Sequence, residues 1–475
     1  MKKIVYLSIG LFVLSACTDI LDEIPKSIAS ETFYNTAGEV EVGLNGIYYP
    51  LHGSELVSLF TQLTPLADYA YGKGSIAALN EYNGYSTSTV SNMNRVWQAL
   101  YLSIRNANIV ISKIPESSEL TQEQKDHYLA EARFMRAFAY FYLVRLWAGV
   151  PIRTVENMSM QDLPRSSVDE VYSLIVDDLT FAEQYLGDTP RLLGTPSKWT
   201  AKTVLADVYL NIGNWEQAMN KSEEVITSGV YSLVQIEQPD DYEKIYGADL
   251  LTSPEEVFYF KYNDVSGWAL MNFFHISGSG YKPYGANWYA FYTKEDNRFY
   301  ADWDDEDYRK RHNFYKWEFG YGDNTLLFKK YIDPNGTTGA SNDWPIYRFA
   351  EVFFIYSEAA NSFHGEPTEK AVEYLNKVHR RAYGYPTEGP SPVDFKKEDF
   401  TKETFFDLVL REKGYETVLE CKRWFELVRT GTAKDLIRKN LGKELDETML
   451  LFPIPVTETN YNKAINPVTD QNPGY

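Results

Sequence analysis

Residues 201–226 read AKTVLADVYLNIGNWEQAMNKSEEVI, and their spacing decides the class of fold. Leu205, Ala206 and Tyr209 recur at helical intervals, Gly213-Asn214 interrupts them, and Trp215 and Ala218 resume the pattern. Apolar residues at such intervals mark the buried stripe of a helix, and Gly next to Asn marks a turn. The segment predicts two helices, Ala201 to Ile212 and Trp215 to Ile226, folded back on each other. Small Ala side chains let the paired helices approach closely, while Tyr209 and Trp215 fill the gap between pairs.

The spacing resembles a tetratricopeptide repeat. A related pair is expected over Val352 to Phe363 and Ala371 to Tyr383, broken at Gly365-Glu366-Pro367. Such repeats need about three stacked units to bury a continuous core, so the flanking helices must supply the others. Two of these announce themselves by capping boxes. Thr121 with Gln124 opens a helix to about Leu146 whose Phe134, Phe138 and Phe141 leave it apolar on most faces, hence buried. Ser167 with Glu170 opens a second, striped by Val171, Leu174, Ile175, Leu179, Ala182 and Leu186. Helical periodicity spans 38–230 and 346–445. Residues 231–345 are rich in Gly, Asn, Asp and aromatics without a sustained period, and 446–475 reads as extended. The expectation is a mainly α fold: tetratricopeptide-like helix pairs as scaffold, and a long irregular region carrying few short strands, in one domain over 38–475.

The N-terminus carries a different message. Lys2 and Lys3 precede an apolar run from Ile4 to Leu14, then Leu14-Ser15-Ala16-Cys17. This reads as a secretion signal over residues 1–16 and resembles the lipobox of bacterial lipoproteins, with Cys17 expected as the lipid-bearing first residue of the mature chain. The run is too short for the roughly 20 residues that span a bilayer. Residues 17–37 form the tether, and acidic Thr18 to Glu23 resembles the surface-export signal of some Gram-negative lipoproteins.

The chain has 475 residues, 44% hydrophobic and 15% aromatic, enough for a large core. A net charge of −20 would repel phosphate backbones, which argues against nucleic acid as partner. With Cys17 acylated, Cys421 has no partner within the chain, and a small buried hydrophobe is its expected role.

Several motifs, in order, now point to a family. They are the lipobox, Trp97-x3-Tyr101-x2-Ile104-x-Asn106-Ala107-Asn108, Arg133 to Phe141 leading to Gly149-Val150-Pro151, and the Asn214-Trp215 repeat. Tyr347 to Glu351, Tyr356 to Ala360, Asn376-x2-His379-Arg380-Arg381-Ala382, Arg423 to Gly431, Phe452-Pro453-Ile454-Pro455 and Gln471 to Tyr475 follow. Together they resemble the SusD/RagB family of surface lipoproteins that partner TonB-dependent outer-membrane transporters. One stretch departs. The family's Glu-Arg-x-x-Glu-Leu-x-x-Glu-Gly appears here with Glu412, Lys413, Glu416, Thr417, Glu420 and Cys421, so its acids are kept while its Arg, Leu and Gly positions change. Arg136, Glu351, Glu358 and Arg423 lie on largely apolar helices and are costly to bury unpaired, so they read as interhelical ion pairs.

The resemblance implies a non-enzymatic protein, lipid-anchored on the outer face of the outer membrane. It would capture oligo- or polysaccharide and hand it to a SusC-like TonB-dependent transporter, with the repeat helices involved in that contact. Two regions would build the platform. Between Phe258 and Trp303, 16 of 46 residues are aromatic, interleaved with glycines. Trp268, Tyr281, Tyr284, Trp288 and Tyr289 are its candidates, and most of the other rings are expected in the core. Asp68, Tyr71, Tyr82, Asn83 and Tyr85 form the second cluster. Flat rings cover the apolar face of a sugar, and Asp, Asn and phenol groups address its hydroxyls.

No HExxH, CxxC, Walker loop or GxSxG occurs in the chain, and no cofactor is expected. Calcium is the one metal left open, at Asp302-Trp303-Asp304-Asp305-Glu306-Asp307. That run lacks the Gly and terminal Glu of an EF-hand loop and reads as a solvated acidic turn. An oligopeptide-binding member of the same family, a surface glycosidase and a purely structural lipoprotein are the alternatives.

Overall fold

The computed structural model describes residues 33–263, 291–335 and 340–475. Among them helices dominate and five short strands occur. The signal, Cys17 and most of the tether lie outside the described residues.

Seven helices form the repeat scaffold after an entry pair, α1 (Ala37–Tyr48) and α2 (Ser54–Leu63). They are α3 (Thr87–Lys113), α4 (Gln122–Trp147), α5 (Val168–Tyr185), α6 (Lys198–Asn211), α7 (Trp215–Ile226), α8 (Phe349–His364) and α9 (Glu369–Ala382). Each packs on its predecessor, and α8 packs on α7 although about 120 residues separate them. The irregular region is thus an insertion into a continuous stack. Both expected capping boxes form, at Thr121 with Gln124 and at Ser167 with Glu170. The α4 helix is buried from Tyr128 almost to its end, as a helix apolar on most faces must be. At the α6–α7–α8 junction Ala206, Leu210, Ala218, Ile355 and Ala359 make one buried cluster, with Tyr209 and Trp215 packed against it. Small residues bring three axes together and the two rings close the remaining gap, as the spacing predicts.

Two strands tie the insertion to the stack. Strand β1 (Glu256–Phe260) pairs antiparallel with β5 (Trp344–Arg348), which runs directly into α8. Phe258 lies edge-on to Phe134 and Phe138 of α4, 5.4 and 5.6 Å between ring centroids. The other three strands, β2 (Tyr292–Lys294), β3 (Phe314–Lys316) and β4 (Thr325–Phe328), form an antiparallel sheet in the order β2-β4-β3. After α9 the chain adds α10 (Lys402–Glu416), α11 (Arg423–Arg429) and α12 (Ala433–Leu441).

The charged residues on apolar helices are paired. Arg136 donates to Asp178 at 2.7 and 2.8 Å, joining α4 to α5, and Arg429 donates to Glu358 at 2.7 and 2.8 Å. Lys422 lies 2.9 Å from Glu351, and Arg423 bonds Asp68 through both Nε and Nη2 at 2.8 Å. Where insertion meets stack, three buried cations meet three buried carboxylates. Arg348 binds Glu255, Glu416 and Glu420, Arg381 binds Glu255 and Glu416, and Lys330 binds Glu420 at 2.7 Å. All six side chains are fully buried.

This network accounts for the departure in the sequence before Arg423. Its retained acids, Glu412, Glu416 and Glu420, bond Arg309, Arg348 and Lys330. Lys413, at the family's Arg position, still supplies a cation, 2.7 Å from Glu426. Cys421, at the family's Gly position, adopts the left-handed φ of +62° that a glycine would take freely. Left-handed backbone costs a residue with a Cβ about 1–2 kcal/mol. We expect Cys421→Gly to unfold at nearly the wild-type urea concentration, relief of strain offsetting lost burial. Cys421→Val, branched at Cβ, is expected to unfold at clearly lower urea.

The run Asp302 to Asp307 is spent on local contacts. Asp302 pairs with Arg298, Asp305 with Lys310 and Asp307 with Arg309, while Asp304 accepts from Glu306 N and Tyr383 Oη. Nearby, burial raises the Glu243 carboxyl to about 7, with Lys329 opposing and Asp240 adding to the rise. A folded value above the unfolded one contributes stability at low pH that is lost as pH rises through 7. Glu243→Gln should therefore melt with the wild type near pH 4.5 and above it at pH 8, by differential scanning fluorimetry.

Candidate ligand-binding face

Tyr292, Leu327 and Tyr315 are direct cross-strand partners in the β2-β4-β3 sheet, so their side chains share one face. The opposite face turns inward, with Phe314 opposite Phe328, and Phe328 packing on Tyr69. The outer face carries a cluster of rings. Tyr292 and Leu327 are buried at its centre, and Tyr71, Tyr315, Trp317, Phe319 and Tyr321 are half-buried around them. Tyr71 stacks on Tyr292 with centroids 5.2 Å apart and planes at 23°. Tyr321 lies 4.7 Å and Phe319 5.7 Å from Tyr292, and Lys73 Nζ sits 5.5 Å from the Phe319 ring. Burial, then the neighbouring Tyr321 and Tyr71 phenols, push the Tyr292 hydroxyl up to about 12, so it remains a donor at neutral pH.

The turn after β3 is built to present these rings. Glu318 accepts hydrogen bonds from the N–H groups of Tyr321 at 3.0 Å and Gly322 at 3.2 Å, and also from Gly320 N. Those bonds hold its carboxyl below the usual range. Gly320 and Gly322 take φ of +103° and +108°, conformations that side chains rarely adopt. Trp317 N donates to Thr325 O at 3.2 Å, which continues the pairing past β3.

The second segment, 65–85, pairs with the sheet backbone through a single bridge. Tyr71 N donates to Tyr292 O at 2.8 Å and Tyr292 N to Tyr71 O at 3.2 Å, so Tyr71 extends the sheet by one residue beyond β2. The members of the 68–85 cluster divide accordingly. Asp68 is fully buried, held by Arg423 and by Asn440 Nδ2 at 2.8 Å. Tyr82 is buried too, its hydroxyl donating to Pro65 O at 2.9 Å. Tyr85 donates to Met449 O at 2.6 Å and stacks on Phe452. Asp68 and Tyr82 therefore hold the segment and present nothing to a ligand. Asn83 is exposed, and only Tyr71 of the five joins the ring cluster.

Trp268, Tyr281, Tyr284, Trp288 and Tyr289 lie outside the described residues. Of the other rings between Phe258 and Trp303, Phe258, Tyr259, Phe260, Phe291, Phe299 and Trp303 are buried core. Four half-buried rings, Tyr315, Trp317, Phe319 and Tyr321, fall beyond the stretch the composition picks out. The signal for them is in the sequence: YKWEFGY places an aromatic at every second residue, the period of a strand with one covered face.

A cleft of about 620 Å³ opens elsewhere, between α10, α12 and the short helix Arg298–Ala301. Its walls mix Phe299, Phe400 and Leu436 with Arg411, Asp407 and Lys439, and its Arg423 is already bound to Asp68. Among the described residues no group of three His, Cys, Asp or Glu is placed to hold a metal ion. No described helix is long and apolar enough to cross a membrane.

Residues 19–210 match a family model described as "Starch-binding associating with outer membrane", and residues 260–475 match the model of the SusD family. A SusD-like protein P2 of Formosa agariphila is 25% identical over 98% of each chain. The crystal structure of a SusD homolog from Bacteroides thetaiotaomicron superposes with a TM-score of 0.79 at 21% identity, covering 94% of this chain and 98% of that one. A laminarin binding SusD-like protein superposes with a TM-score of 0.73 at 22% identity over 93% and 100% of the two chains.

Proposed function

The chain belongs to the SusD family, and from that premise we propose that it is a non-enzymatic glycan-binding lipoprotein whose ligand lies across the rings on the β2-β4-β3 sheet. One observation carries this reading. Five half-buried rings from two chain segments, with Tyr292 beneath them, form an apolar surface with Lys73 beside Phe319 and Asp296 beside Tyr71. A sugar offers an apolar C–H face and a rim of hydroxyls, and such a surface meets both. One structural neighbour is described as laminarin binding and one matched family model as starch-binding, which supports a carbohydrate ligand.

Anchored through Cys17 at the outer membrane and facing outwards, the protein would deliver captured oligosaccharide to a TonB-dependent transporter. The anchor raises the binder's effective concentration at that transporter. Two measurements test the reading. On a glycan array, with calorimetry of the hits, the full chain should bind oligosaccharides, and no new reducing ends should appear on incubation with them. Binding of an oligopeptide pool with no glycan retained would replace this reading by peptide capture, and new reducing ends would replace it by hydrolysis.

A further inference from the structure

We propose that Asn80 is the positioning residue of the aromatic face: it fixes Tyr71 against β2. The proposal rests on the reading of that face as the glycan site and deepens it. Tyr71 contributes a ring from a segment whose pairing with the sheet is one residue long. An isolated two-strand contact is marginal in water, and a single bridge is less than that. Something else must hold the chain extended as it leaves Tyr71.

That is the next residue, Gly72. Its N–H donates to Asn80 Oδ1 at 2.7 Å, and its carbonyl accepts from Asn80 Nδ2 at 2.9 Å. One side-chain amide thus pairs with both polar groups of one backbone residue, as a neighbouring strand would. Asn offers a donor and an acceptor at the right reach, whereas Asp would set a carboxylate oxygen against the Gly72 carbonyl. The fit is close. A Cβ on Gly72 would lie 2.9 Å from Ile76 Cγ1 and Ile76 O, and 3.0 Å from Pro65 Cγ. On the other side of Tyr71, Asp68 is fixed by Arg423 and Asn440, and the Tyr69 hydroxyl accepts from Leu419 N at 3.0 Å. Tyr71 is held from both directions, and Asn80 is the hold on its C-terminal side.

Two arms test this. The first needs no ligand. In Asn80→Ala the Tyr71 amide, bonded to Tyr292 O, should exchange with deuterium faster than in the wild type, while amides of α4 stay unchanged. Unchanged protection at Tyr71 overturns the proposal. The second arm is a double-mutant cycle on oligosaccharide affinity. Asn80→Ala should weaken binding about two- to tenfold, the cost of immobilising a side chain the wild type holds in place. In a Tyr71→Ala background it should change nothing further. Equal weakening in both backgrounds would overturn the positioning role. If no variant, wild type included, binds any glycan, the functional reading fails, and the exchange arm still decides the clamp.

Discussion

Arg348→Met is expected to destabilise the protein by about 3–5 kcal/mol, the usual cost of removing one partner from a buried ion pair. Arg348 reaches Glu420 at 2.9 and 3.0 Å, Glu416 at 2.9 Å and Glu255 at 3.2 Å, and none of the four side chains is exposed. Without it Glu255, Glu416 and Glu420 would keep only Arg381, Lys330 and the more distant Arg309, 3.6 Å from Glu416 and already bound to Asp307 and Glu412. An exposed pair supplies the control. Arg438 bonds Glu444 at 2.6 and 2.7 Å in solvent, and Arg438→Met should leave the urea midpoint unchanged. The two variants differ little in contact distance and greatly in burial and in the number of carboxylates left behind.

Acid should act on the same junction. Burial alone would raise the Glu420 carboxyl, but Arg348 and Lys330 outweigh it and hold the group at about 2. Burial likewise pushes the Glu416 carboxyl up, but Arg381, Arg348 and Arg309 overcome that rise and hold it below the usual range. A carboxyl depressed in the folded state contributes stability above its unfolded pKa, and that contribution is lost as pH falls towards the folded value. The wild type should lose stability between about pH 4.5 and 2. Arg348→Met, with less depression to lose, should show a shallower decline.

The second large effect falls on binding. Trp317→Ala is expected to weaken oligosaccharide affinity by about thirtyfold or more, roughly 2 kcal/mol, as for an aromatic hot spot. Trp317 is half-buried, on the turn that Glu318 ties down, and its backbone bond to Thr325 does not depend on its ring. The melting temperature should therefore change little while calorimetric affinity collapses. Leu327→Ala would be less informative, because Leu327 is fully buried and its loss would disturb the sheet itself.

Much of the scaffold was legible because its signals are local. Capping boxes need residues three apart, and the α6–α7 pair needs only Ala206, Tyr209, Trp215 and Ala218 in register. The stack's continuity was not local: α7 meets α8 across the whole insertion. The candidate face was legible as two regions and not as residues. Asp68 has the chemistry of a sugar ligand, yet its partner Arg423 lies 355 positions away, and no local pattern reveals that commitment. Tyr82 is a tyrosine in an aromatic loop, but a buried hydroxyl bonded to Pro65 O makes it a strut. Conversely, Tyr315, Trp317, Phe319 and Tyr321 alternate with Lys316, Glu318 and Gly320, so composition reads them as loop while their period reads as strand. Period, not density, was the better guide to which rings face outwards.

A co-crystal structure with a bound oligosaccharide tests the central claim most directly. Sugar rings are expected against Tyr71, Trp317 and their neighbours on the β2-β4-β3 sheet, with hydroxyls towards Lys73 and Asp296. Sugar seated in the cleft between α10 and α12, with the aromatic face bare, would contradict it.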